Sequence, residues 1–217
     1  MQTKIIAFIN QKGGCGKTTL SMNVGATLAL RYAKKVAIID GDNQGSATKW
    51  AGNVSDDKEF PCSVLSLAKS NGLAHREIKK MMGMYDFIVV DCPPNTEAQI
   101  NASILLVADL AVIPFNPSPL DLRAIEELRP LIEAASINNE KLKVVSLVNR
   151  ADNRNVSAAV ETHFKNNENI TLLNTKIKSR AIYCETELIG ESVYTSNVSQ
   201  AKNEISLLVD ELVEYLE

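Results

Sequence analysis

An α/β fold, with a mostly parallel twisted sheet carrying helices on both faces, is predicted by three observations. Short β-rich apolar runs alternate with longer stretches of helical period. Most of those runs lack polar alternation, as strands buried on both faces should. A glycine-rich segment stands between the first run and the first helical stretch. At 217 residues and 23.7 kDa the chain suits one domain over residues 1–217.

The predicted strands are Lys4–Ile9, Val36–Ile39, Phe87–Val90, Leu110–Pro114 and Val144–Val148. Helices are predicted at about Lys17–Arg31, Thr96–Val107, Leu120–Ala135, Val156–Asn166 and Ser199–Leu216. The last carries an apolar stripe at Ile205, Leu208, Val209, Leu212, Val213 and Leu216, with acids on its other face, so it packs on the domain. Between Asn53 and Gly83, Ser, Asp and Gly break the pattern; a partly exposed excursion with one short helix near His75–Met82 is expected there.

Apolar residues at 45% and charged residues at 23% exclude general disorder and a fibrous repeat. A net charge of −3 gives no overall attraction to nucleic acid or anionic lipid, so any such binding must be local or switched on. The cysteines, at 15, 62, 92 and 184, form no C-x-x-C pair, and no secretory segment is visible, which predicts a reducing, cytoplasmic setting. No apolar run reaches the length of about 18 residues that a membrane span requires.

The chemistry is concentrated after the first strand, in Gln11-Lys12-Gly13-Gly14-Cys15-Gly16-Lys17-Thr18-Thr19. Three glycines let backbone N–H groups turn toward phosphate oxygens, and the helix that follows directs its positive end at them. Lys17 is placed to neutralise the β/γ-phosphates and Thr18 to hold Mg²⁺. A glycine-rich turn without a ligand is the plain alternative, but charge, metal ligand and strand-to-helix context coincide here. The strict P-loop pattern is missed, because Gln11 stands where its first glycine would fall, and Lys12 adds a second lysine.

Two further strand ends supply acids. Asp40 and Asp42, two apart after the second strand, face the same crevice at the carboxyl edge of the sheet. Asp91 follows Phe87–Val90 in a Walker B arrangement and is placed to hold Mg²⁺ indirectly. Turn formation is the plain alternative for an acid after a strand.

Lys-Gly-Gly-x-Gly-Lys-Thr-Thr resembles the deviant Walker A motif of the ParA/MinD ATPases, and the P-loop NTPase fold follows from that resemblance. It covers nearly the whole chain and is nearest to the small plasmid partition ParA proteins of ParF type. It implies that Lys12 reaches the partner subunit's phosphates in a nucleotide-sandwich homodimer. In the same way Asp42 positions the attacking water, Asp40 supports the metal's water shell, and Asn149 and Arg150 contact adenine. The catalytic set is then Lys12, Lys17 and Asp42, the nucleotide set Lys12 through Thr19 with Asn149 and Arg150, and the metal set Thr18, Asp40 and Asp91. Asn43 departs from the family's proline. The segment Pro117-Ser118-Pro119-Leu120-Asp121 is a second candidate near the nucleotide or the dimer face.

The function implied is ATP-dependent DNA partition. MgATP closes the dimer, the closed form binds nucleoid DNA nonspecifically through residues such as Lys176, Lys178 and Arg180, and a small centromere-binding ParB-type partner stimulates hydrolysis. A nucleoid-associated location goes with it. The alternatives are a MinD-like or other positioning ATPase with a non-DNA cargo, and a P-loop ligase of dethiobiotin-synthetase type. The acidic end Val209–Glu217 disfavours a membrane oscillator, since an anionic leaflet would repel it.

Overall fold

The computed structural model describes residues 2–94, 99–151, 160, 164 and 170–217. Its strands are β1 (Lys4–Phe8), β2 (Val36–Asp40), β3 (Ser63–Ser66), β4 (Phe87–Asp91), β5 (Leu110–Phe115), β6 (Lys143–Ala151) and β7 (Thr171–Lys178). The helices are α1 (Lys17–Tyr32), α2 (Ser46–Gly52), α3 (Ala74–Met81), α4 (Gln99–Leu105), α5 (Pro119–Asn138), α6 (Ile182–Leu188) and α7 (Ser199–Leu216), with a 3-10 segment at Ala68–Leu73.

All neighbours in the seven-stranded sheet, ordered β3-β2-β4-β1-β5-β6-β7, are parallel. Alternate residues of the central strands feed two cores, which is why those strands read as unbroken apolar runs. Ile5, Ala7, Ile88 and Val90 face Ile78 of α3, Ile104 of α4 and Leu128 of α5. Ile6, Phe8, Ile38 and Val89 face Leu20 and Val24 of α1 and Ile205, Leu208 and Leu212 of α7. The connection from β1 to β2 runs to one side of β1, and the connection from β4 to β5 crosses to its other side. The crevice at the carboxyl end of β1 is therefore the topological switch point, where open α/β sheets bind ligands.

Every predicted strand is present, and four of the five predicted helices are found in the described residues, Ser199–Leu216 with the predicted ends and the other three with shifted ends. The predicted helix 156–166 lies outside the described residues except for Val160 and Phe164, which are helical and buried. The excursion at 53–83 holds more than one helix: it contributes β3 and the 3-10 turn as well as α3, and so widens the sheet beyond β2. The predicted strands omit β7, and the predicted helices omit α2 and α6.

Candidate functional site: the crevice at the end of β1

The loop after β1 is braced before it reaches any ligand. Asn10, fully buried, donates through Nδ2 to the Pro114 carbonyl (2.8 Å) and accepts the Lys12 N–H on Oδ1 (3.0 Å), tying the loop to β5. Sequence reasoning passed over Asn10; an asparagine directly after a strand, at the mouth of a glycine-rich turn, was the available signal. On the other side, Asn149 Nδ2 donates to the Cys15 carbonyl at 2.7 Å. Gly16 has φ +99°, and a Cβ there would lie 2.1 Å from Asn149 Nδ2, so only glycine fits both the conformation and the contact. Cys15 is buried with its thiol pushed up by that burial, which fits a space-filling role.

Lys17 begins α1 almost completely buried, and its Nζ donates to the Lys12 carbonyl (3.1 Å) inside the loop. Next to it, Thr18 Oγ1 donates to Asp91 Oδ2 at 2.6 Å. The other oxygen, Asp91 Oδ1, is buried without a hydrogen-bond partner. Burial pushes the Asp91 carboxyl up to about 7, with Asp40 and Asp42 adding to the rise while the Thr18 hydrogen bond and Lys17 oppose it. An orphaned buried carboxylate oxygen beside a threonine hydroxyl is a hard-oxygen environment, of the type Mg²⁺ takes through one or two carboxylates and its own waters. These residues fit that ion.

Asp40 organises the turn that follows β2. Fully buried, it accepts the Thr48 N–H and hydroxyl on Oδ2, both at 2.9 Å, and the Asp42 N–H on Oδ1 at 3.1 Å. It fixes the turn into α2, and Asp42 is the half-exposed acid that this turn presents. Asp42 Oδ1 accepts the Gln44 N–H (2.9 Å), and its carbonyl accepts that of Gly45.

The Lys12 side chain joins the phosphate loop to α5. Its Nζ lies 2.8 Å from Asp121 Oδ2 on the first turn of α5, with the lysine side chain 38% exposed and the aspartate 2%. Ser118 caps that helix, Pro119 occupies its first turn, and Ser118 Oγ also bonds Asp121. Burial pushes Asp121 upward, but the hydrogen bonds from Lys12, Ser118 and the Asn116 N–H outweigh it and hold the carboxyl below its ordinary range. The Pro117–Asp121 segment thus meets the loop directly.

A small cavity opens beside Gly16, walled by Thr19, Asn149, Arg150, Ser179, Arg180 and Tyr183. Arg150 takes φ +52°, an uncommon conformation for a side-chain-bearing residue and one that clusters at ligand sites. Asn149 and Arg150 both line this cavity, and the Asn149 amide nitrogen is engaged with Cys15. Arg180 is held by Glu204 (2.6 Å at Nη2) and turns toward α7 and this cavity; Lys176 and Lys178 remain exposed on β7. Arg154 and Lys165, two further cations of the carboxyl half, lie outside the described residues.

The sequence matches the CobQ/CobB/MinD/ParA nucleotide binding domain family over residues 6–207. The chain belongs to the ParA/MinD-type ATPases. "Maintenance of carboxysome distribution protein A" of Halothiobacillus neapolitanus is 33% identical to this ATPase over 211 residues, 96% of this chain and 95% of that protein. A virulence plasmid ParA family protein of Chlamydia psittaci is 27% identical over 177 residues, 65% of this chain and 68% of that one. Among solved structures, the septum site-determining protein MinD of Pyrococcus horikoshii, complexed with Mg-ADP, has the same fold, with a TM-score of 0.70 at 21% identity, covering 97% of each chain. This ParA/MinD ATPase is a positioning ATPase by family, and no helix among its described residues is long and apolar enough to cross a membrane.

Proposed function

We propose that this chain is a MgATP-driven positioning switch. ATP closes a homodimer, the closed dimer holds nonspecific DNA, and hydrolysis stimulated by a small partner protein releases it. The observation that carries this reading is the placement of Lys12. Its ammonium is paired with Asp121 and its side chain is 38% exposed, so a second subunit's phosphates can reach it. A cation delivered by the other subunit makes closure depend on the triphosphate.

Within each subunit the roles follow from position. The glycine turn offers its N–H groups to phosphate oxygens, and Lys17 exchanges its bond to the Lys12 carbonyl for the β/γ-phosphates. Thr18 Oγ1 and, through water, Asp91 would hold Mg²⁺, which when bound neutralises charge on the phosphate oxygens. Asp42 accepts a hydrogen bond from the attacking water, while Asp40 keeps the Asp42 turn in place and supports the metal's water shell from behind it. Asn149 and Arg150 face the base.

The relative named for carboxysome distribution, similar over nearly its full length, supports a cargo that is not DNA. Partition of a plasmid or chromosome is the second reading, supported by the plasmid ParA relative. Sedimentation with ATP, ADP or no nucleotide tests the switch. The wild type is expected to dimerise with ATP alone, and Lys12→Ala to bind ATP as a monomer. Dimers in every state, or undiminished dimerisation of Lys12→Ala, would overturn it. A ligase would consume ATP only with a small carboxylate or amine substrate present.

A further inference from the structure

The two edges of the sheet are finished differently. Along β7, carboxylates of α7 take backbone N–H groups: at the register shift Glu211 accepts from Asn174 (2.7 Å) and Thr175 (2.9 Å), and Glu204 accepts from Lys178 (3.3 Å). Along β3 no such contact exists among the described residues. Among the described residues, the backbone of Ser63–Ser66 is paired with β2 alone. The strand carries no charge and no proline, and Leu65 is 42% exposed. An edge without charge or cover is a template for another strand.

The carboxyl end of β3 opens into a cavity of about 620 Å³ bordered by Asp42, Gln44, Lys49, Ser66 and Lys69. Lys49 and Lys69 are exposed and make no ion pair among the described residues. They outnumber the one carboxylate there, Asp42, whose Oδ1 is already occupied by the Gln44 N–H. Backbone groups unpaired on the side away from β2 and an exposed apolar side chain thus lie on β3, with two cations around the cavity at its carboxyl end.

We propose that an extended, carboxylate-bearing segment of a partner protein adds to β3 as an eighth strand and seats its acids on Lys49 and Lys69. Main-chain pairing supplies affinity in this mode, and side-chain pockets supply specificity. A second copy of this chain is a poorer occupant, because it brings the same cations and an uncharged strand. The segment ends beside Asp42, so docking and hydrolysis share a wall. That consequence alone rests on the reading in which Asp42 orients water.

The test uses the full chain and dye-labelled hexapeptides alternating valine with glutamate, valine with lysine, and proline with glutamate. The valine–glutamate peptide is expected to bind saturably, to slow amide exchange at residues 63–66, and to weaken as salt rises. Lys49→Glu combined with Lys69→Glu, its folding checked by thermal midpoint, is expected to lose about tenfold or more in affinity. Equal binding of the lysine or proline peptide overturns the proposal, as does protection elsewhere, an undiminished charge-reversed variant or self-association through 63–66. Peptide binding by a protein that proves to hydrolyse no ATP would leave the docking site standing and remove the switch.

Discussion

Asp91 is the residue where burial and function are most directly opposed. Its carboxyl is buried beside Asp40 and Asp42, one oxygen bonded to Thr18 and the other to nothing. Its ordinary value of 3.8 becomes about 7 in the folded chain, so between those values the native state keeps a proton that the unfolded state has released. Stability from this group is therefore fully present below about pH 4, falls as pH rises toward 7, and levels off above it. Asp91→Asn removes the charge and keeps the shape. The nucleotide-free variant is expected to be more stable than the wild type at pH 8, by an amount on the order of a few kcal/mol, and to match it near pH 4. Urea midpoints of both proteins across that range check this; a variant less stable at pH 8 would show that Asp91 is compensated by a contact other than those described. The acid itself was legible in the sequence, since four apolar residues and an aspartate followed a phosphate loop at sensible spacing. Its environment was not, because burial is a sum over neighbours from β1, α1 and β2. Asn10 shows the same limit, as its bond to Pro114 joins positions 104 residues apart.

At the scale of elements, reading depended on which strands are covered on both faces. The central strands were visible as apolar runs because both cores claim their side chains. The edge strands were not: β3 reads Ser-Val-Leu-Ser, and β7 alternates Leu173 and Ile177 with exposed polar residues, so neither produces a run. What makes β7 a strand is α7. The sequence shows its apolar stripe and its acids, and the structure shows that two of those acids face the sheet edge instead of water. Glu211 takes two backbone N–H groups with one carboxylate. Glu211→Ala leaves both donors without that acceptor and exposes the edge. A loss of about 1–3 kcal/mol is expected from the unmet hydrogen bonds, with faster aggregation on heating. Chemical denaturation and light scattering measure the two effects, and a variant of wild-type stability with unchanged scattering would mean that water serves those N–H groups equally well.

For the whole molecule, a charge of −3 means that attraction to DNA cannot come from the net field and has to be assembled locally. The strand edge at β7 offers Lys176 and Lys178, both exposed and the second lining the cavity next to the phosphate loop, while Arg180 is committed to Glu204. In the proposed switch, closing two subunits around nucleotide would double the number of these cations. DNA affinity is therefore expected only with ATP, and its logarithm is expected to fall linearly with the logarithm of salt concentration, because binding releases counterions from the phosphates. Reversing Lys176 and Lys178 to Glu is expected to lower ATP-dependent affinity roughly tenfold or more and to flatten the salt slope. Arg180→Ala is expected to act chiefly through stability, since it leaves Glu204 without its cation. Filter binding over a salt series, with ATP, ADP and no nucleotide, separates these cases. Affinity indifferent to nucleotide would place DNA binding on a surface that exists in the monomer. If the lysine reversals had no effect while Arg180→Ala abolished binding, the Glu204 pair would have to open when the dimer closes, making α7 a moving part.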